Sequence, residues 1–460
     1  MADTTALRNK ILQLAIEGKL VEQRAEEGDA RTLLDEIKAE KAQLIAEKKI
    51  KKDKPLAPIE DSETPFDIPD CWAWVRLGEV TYSVGSKCNQ IKTNEVMNQG
   101  ILPVVSQSQL LIDGYTDNEE KKIEDLPLIM FGDHTRNVKF IDFPFVIGAD
   151  GTKFHKPIII NPKYLFFWMR ITALNIASRG YERHYSILKN IPIPLPPLGE
   201  QKRIVEKLDE VMKALDEIEQ GRKNIEALKD KLRNKALQLA IEGKLVEQRA
   251  EEGDARALLD EIKAEKAQLI AEKKIKKDKP LAPIDDSEIP FDIPDSWVWV
   301  RLGEVCNYGN ALKKVNASMV NEDFWVLDLE DLEKGGRLMK RVSAKERKSN
   351  GEKTIFKKGD ILYSKLRPYL LKMLIAPENG ICTSEIVPFN MYGEIAPKYI
   401  LTLLKGNFIN NIINEASYGV KMPRVNTDTM QNLPIPLPPL GEQKRIVEKL
   451  DEVMAEIDKL

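Results

Sequence analysis

The chain has 460 residues, 42% hydrophobic and 31% charged, with a formal net charge of −3, which exceeds one core and predicts two to four domains. Near neutrality excludes a uniformly basic nucleic-acid coat, although a local basic face suffices for DNA binding. No apolar run approaches the roughly 20 residues of a membrane-spanning helix.

The start, MADTTALRNK, lacks the apolar stretch of a secretory signal, so the cytoplasm is the expected compartment. Cys71, Cys88, Cys306 and Cys382 show no paired spacing, and the only histidines are His134, His155 and His184. The expectation is reduced, structural cysteines and no metal site.

Taken in chain order, the first element is a helical region over residues 1–54. Within it Asp29, preceded by glycine, is placed to cap a helix carrying Leu34, Ile37 and Leu44 on one face. The run Glu47–Lys54 (EKKIKKDK) ends that helix. Its lysines are read first as a solvated helix C-terminus, with phosphate contact as the alternative. A Pro-rich stretch, Pro55–Pro58, opens a variable domain over 55–197, where Trp72, Trp74 and Arg76 alternate as in a strand, with the tryptophans expected in the core. Short apolar runs follow at Leu128–Phe131 and Phe143–Ile147, then a helix near Pro162–Arg179. A coiled-coil region spans 198–279. Ile204, Leu208, Val211, Leu215 and Ile218 alternate at spacings of four and three, predicting one long helix from about Glu200 to Glu242, ended near Gly243. A second variable domain covers 280–439, with strands at Asp360–Tyr363 and Gly380–Pro388 and a helix near Pro397–Glu415. A final helix covers 440–460.

Internal repetition organises these elements. Leu7–Val80 recurs as Leu232–Val305 with 68 of 74 positions identical, and Pro192–Met212 recurs as Pro434–Met454 with all 21 identical. The intervening segments, 81–190 and 306–432, share almost nothing. Duplication alone explains the identity but not its confinement to the frames, so the frames carry one shared task and the inserts two different ones. The C-terminal and N-terminal pieces together repeat the central helix except for seven residues equivalent to Glu219–Ile225. The expected architecture is α+β: two mixed α/β domains joined by long antiparallel coiled-coil helices in a pseudo-two-fold circular arrangement. A coil that only homodimerises is the competing reading.

Within the inserts, certain loops concentrate cationic, amide and aromatic side chains suited to guanine edges, adenine edges or phosphates. In the first insert these are His134, Thr135, Arg136 and Asn137, and Arg179, Tyr181, Arg183, His184 and Tyr185. In the second they are Lys365, Arg367 and Tyr369, and Tyr418, Lys421, Arg424 and Asn426. Catalytic signatures are missing. There is no G-x-x-x-x-G-K-[ST] phosphate loop, no Asn-Pro-Pro-aromatic or Asp-Pro-Pro-Tyr tetrapeptide and no G-x-S-x-G elbow.

At LPPLGEQKRIVEKLDEV, after a short Pro-Ile-Pro strand, the chain resembles the specificity (S) subunits of type I restriction-modification enzymes. So do AIEGKLVEQ at Ala15–Gln23 and Ala240–Gln248, WVRLGEV at the start of each insert, GDHTR at Gly132–Arg136 and SKLRPYL at Ser364–Leu370. The resemblance covers essentially the whole chain, in the order frame, insert, frame, insert, partial frame. It implies that the variable domains are target-recognition domains, each reading half of a split, asymmetric double-stranded DNA sequence. It further implies a non-catalytic chain without cofactors of its own, and half-site spacing that follows helix length. The implied partners are two modification subunits, which use S-adenosylmethionine to methylate adenine, and two restriction subunits, which use ATP and Mg2+. A coiled-coil adaptor whose variable domains bind proteins is the alternative.

Overall fold

A computed structural model describes the chain except residues 1–3, 53–54, 86, 149–150, 178–181, 276, 278–279, 311–312 and 349. The lysine runs at 47–54 and 272–279 therefore lie partly outside the described residues. Two compact units result, Met1–Arg222 and Lys223–Leu460.

In the first unit, α1 (Thr4–Ile16) and α2 (Ala30–Ala46) precede β1 (Ala73–Val75) and the single turn α3 (Leu77–Val80). The insert then runs through β2 (Thr81–Val84), β3 (Leu102–Val105), β4 (Gly114–Thr116), β5 (Leu128–Gly132), β6 (Val138–Ile141), β7 (Val146–Ile147) and β8 (Thr152–Pro157). It closes with α4 (Pro162–Asn175), α5 (Tyr185–Leu188) and β9 (Ile193–Leu195), and α6 (Leu198–Ile241) follows. In the second unit come α7 (Ala255–Ala271), β10 (Val298–Arg301), α8 (Leu302–Val305), β11 (Lys314–Asn316), β12 (Trp325–Leu327), α9 (Ala344–Arg347) and β13 (Glu352–Phe356). Next are β14 (Ile361–Ser364), β15 (Met373–Ile375), β16 (Gly380–Cys382), β17 (Ile386–Phe389), α10 (Pro397–Lys405), α11 (Asn407–Glu415), α12 (Thr427–Gln431), β18 (Pro434–Leu437) and α13 (Leu440–Lys459).

The 44-residue α6 is the expected long helix, and Gly243 at φ 68 ends it by adopting the left-handed backbone glycine permits. In the first unit the start of α6 runs antiparallel to α1. Arg8 pairs with Asp216 at 2.5 Å, while Gln23, just beyond α1, donates to Glu200 at 2.7 Å. The second unit repeats this between the end of α6 and α13, with Arg233–Asp458 at 2.6 Å and Gln248 bonded to Glu442. Ile204, Leu208 and Leu215 are buried, whereas Ile218, Ile225 and Leu232 further along the same seam are exposed. Asp29 and Asp254 cap α2 and α7 as expected, each accepting a backbone N–H at 2.7 Å.

The frame grips each insert at both ends. β1 pairs antiparallel with β9, and β10 with β18, so the chain enters and leaves on adjacent strands. Trp72 and Trp297 are buried as expected; Trp74 and Trp299 lie beside Phe66 and Phe291. The repeated Leu-Gly-Glu-Gln gains its reason here. Buried Gln201 donates to the Pro196 carbonyl at 2.9 Å and accepts the Asn161 N–H at 2.8 Å, anchoring the start of α4. Gln443 does the same for Pro438 and Ala396 before α10. Arg76 and Arg301, both buried, bind carbonyls of the Pro-rich linker and pair with Glu63 and Glu288 at 2.7 Å.

Inside the inserts the two units share part of a topology that their sequences conceal, although β4 extends the β3 side of one parallel pair and β13 and β11 extend the β16 side of the other. The first has a sheet ordered β2-β8-β5-β6 and a parallel β3–β7 pair. The second has β17-β14-β15, with Cys306 bridging to Met391 where β2 would lie, and a parallel β12–β16 pair. Three sequence expectations need correcting. The helix expected at Pro162–Arg179 ends at Asn175. That expected at Pro397–Glu415 breaks at Gly406, whose extended backbone (ψ 142) separates α10 from α11. The run Gly380–Pro388 is two strands, not one.

Candidate nucleic-acid interface

In the first insert, residues 133–137 form the turn between β5 and β6. Arg136 has φ 61, and its N–H bonds the Gly132 carbonyl at 2.8 Å. Thr135 Oγ1 and Asn137 Nδ2 both donate to the Gln107 carbonyl, at 2.7 and 2.9 Å, and the His134 N–H donates to Gln107 Oε1 at 3.1 Å. Gln107 therefore holds the turn, although nothing in its sequence context marks it. Arg136 extends to the Ile176 carbonyl at the end of α4.

Asp133 joins this turn to the second expected loop. Its carbonyl accepts the His184 N–H at 2.8 Å, and its Oδ1 accepts the Tyr185 N–H at 2.8 Å. His184 is buried, while Arg183 is exposed. Arg179 and Tyr181 lie outside the described residues. Tyr185 stacks on buried His155 at 5.4 Å, with Lys153 Nζ over its ring at 5.7 Å. Burial, reinforced by the Lys153 charge, pushes His155 down to about 4, so its ring is neutral at physiological pH.

In the second insert the two expected loops lie against each other. The Val425 N–H donates to the Lys365 carbonyl at 3.1 Å, and the Arg367 N–H to the Pro423 carbonyl at 2.7 Å with Arg367 at φ 50. Tyr418 and Arg424 exchange backbone bonds at 3.0 and 2.9 Å, closing a hairpin whose tip is Gly419–Met422. The Arg424 guanidinium pairs with Glu385 at 3.1 Å, and that hydrogen-bonded pair holds it above its ordinary range. Asn426 caps α12 by accepting the Thr429 N–H at 2.7 Å. Tyr369, Tyr418, Lys421 and the wholly exposed Val420 remain on the surface.

Each insert thus presents a braced cluster of loops. Some members of each cluster brace and others face solvent, a division that loop composition does not reveal.

The fold and these loops define a protein with two unlike ligand-reading domains on a duplicated helical frame. Residues 69–227 and 294–459 both match the type I restriction modification DNA specificity domain. Among curated proteins, the chain is 30% identical to the EcoAI specificity subunit of Escherichia coli, over 99% of this chain and 89% of that protein. It is 28% identical to the Escherichia coli EcoEI specificity subunit over the same shares. A solved structure described as the structural basis underlying complex assembly and conformational transition of the type I R-M system aligns at TM-score 0.52 and 19% identity. That alignment covers 86% of this chain and 93% of the other. The chain belongs to the type I restriction-modification specificity subunits, the DNA target-recognition components of their complexes. Among the described residues, no helix is long and apolar enough to cross a membrane.

Proposed function

We propose that this chain recognises a bipartite, asymmetric DNA sequence, each insert reading one half, and directs partner enzymes to it. The observation that supports this most is the repeated antiparallel helix pair holding unlike inserts. Equivalent frames suit equivalent partners, and unlike inserts suit unlike half-sites. The partners are two adenine methyltransferase subunits using S-adenosylmethionine and two restriction-translocase subunits using ATP and Mg2+. The chain itself needs no cofactor and performs no catalysis, and the complex works in the cytoplasm.

On this reading, the side chains that meet DNA include Arg183, Tyr369, Tyr418 and Lys421, while Thr135, Arg136, His184, Arg424 and Asn426 set loop shape. Co-expression with cognate methyltransferase subunits, followed by methylation-sensitive genome sequencing, tests it. The expected result is one bipartite, non-palindromic motif carrying modified adenine. An active complex that modifies no such motif refutes the reading.

A further inference from the structure

We propose that each insert holds a lysine-lined cleft that grips a DNA backbone phosphate and positions the reading loops without itself reading sequence. This rests on the DNA-reading role above. It begins from a coincidence between segments that share almost no sequence.

In the first insert a cleft of about 330 Å³ is lined by Ser83, Gly85, Lys87, Gln90, Thr152 and Lys153, among others. In the second, one of about 250 Å³ is lined by Asn307, Asn310, Lys313, Lys357, Asp360 and Asn390, among others. The fold makes their positions equivalent. Ile158 donates its N–H to the Val80 carbonyl at 2.9 Å, and Tyr392 donates to Val305 at 2.9 Å, fixing the same pairing after α3 and after α8. Counted from those pairs, Gly85 and Asn310 hold one shared place, and Phe154 and Pro388, which also line the clefts, hold the other. Shared ancestry of the frame does not extend to these side chains, yet both clefts present two lysines among uncharged polar groups, hydroxyls and an amide in the first and three asparagines in the second.

The charge points to an anion. Lys87, Lys153, Lys313 and Lys357 are exposed, and among the described residues none of them has a carboxylate in salt-bridge range. Among the described residues that line it, the first cleft has no carboxylate; the second has Asp360, which accepts the Lys357 backbone N–H at 2.8 Å. Lysine is a flexible point charge suited to phosphate, and it lacks the planar fork that distinguishes base edges.

Position favours the DNA backbone over an acidic protein. Gly151 lines the first cleft and abuts the reading turn: a Cβ there would come within 2.7 Å of Gln107 Nε2 and 3.0 Å of His134 Cδ2. Lys153, from the same cleft, covers the Tyr185 ring. A strand whose bases meet the 133–137 and 183–185 loops therefore carries its phosphates past this cleft. Phosphate contacts fix register while base contacts specify sequence.

The test uses the full chain, a duplex bearing its methylated motif and an unrelated duplex of equal length. K87Q/K153Q and K313Q/K357Q are measured singly and combined, with K231Q/K235Q on α6 as the control. Thermal melting establishes that each variant is folded. Each cleft variant is expected to weaken both duplexes by a similar factor and to flatten the slope of log affinity against log salt by about 0.9, with the motif unchanged. If the combined variant keeps the wild-type slope, or either variant changes the motif, the clamp is refuted while DNA reading stands. If the wild-type chain binds neither duplex, both fail together.

Discussion

Trp72 Nε1 donates to Glu200 Oε2 at 2.8 Å, tying the start of the first insert to the first turn of α6. The other Glu200 oxygen accepts Gln23, so three distant segments meet on one buried carboxylate. Trp297, Gln248 and Glu442 reproduce the arrangement.

Glu200→Ala leaves the buried Trp72 Nε1–H without its acceptor, which costs about 1–3 kcal/mol, while exposed Gln23 keeps the Gly18 carbonyl. Hydrogen exchange should show faster opening at 69–75 and 198–204, with the second unit unchanged. Equal protection in both proteins would mean that this carboxylate bears no load.

Burial holds Glu200 and Glu442 above the ordinary carboxylate range, against the opposing pull of their tryptophan and glutamine donors. A raised folded-state value means that the contribution is complete below the unfolded value and declines as pH rises through the folded one. Apparent stability should therefore fall over that interval. In E200Q/E442Q, which cannot ionise there, the fall should be shallower, although each glutamine turns an NH2 toward a donor and lowers stability throughout. Thermal melting across a pH series measures the slope.

Arg301→Ala removes a buried guanidinium that serves Ala282, Pro283 and Asn432 carbonyls and Glu288. The expected cost is on the order of 2–4 kcal/mol, discounted because Glu288 is partly exposed. Limited proteolysis should then cut near 280–289 in the variant and spare the wild type.

Arg424→Ala should loosen the 418–424 hairpin by removing its tie to Glu385. Methylation profiling is expected to show relaxed preference in one half of the motif, with the other half intact. Exchanging residues 81–190 for the insert of another family member should likewise change a single half. Alteration of both halves in either experiment would break the proposed division of labour.

Much of the frame was legible because its signals are local or repeated: the 3-4 alternation from Ile204, the caps at Asp29 and Asp254, and Gly243 after α6. The shared topology of the inserts was not, since strands accept many apolar residues and their pairing is non-local. The Gly406 break escaped notice because Pro397–Glu415 is periodic on both sides of it. At the candidate interface, composition singled out the loops, but the tasks of Gln107, Asp133 and His184 depend on partners tens of residues away. No local pattern separates a buried histidine from a reading one.

The paired strands β1–β9 and β10–β18 work as a doorway of fixed width. A segment whose two ends lie one strand spacing apart can occupy it, whatever its length or composition between them, and 110 and 127 residues already do. Beyond those strands the frame meets each insert mainly at one insert helix, α4 against α1 and α10 against α13. A new recognition domain can therefore arrive whole, by exchange at the threshold, provided that it brings a helix to fill the place of α4 or α10 against the frame.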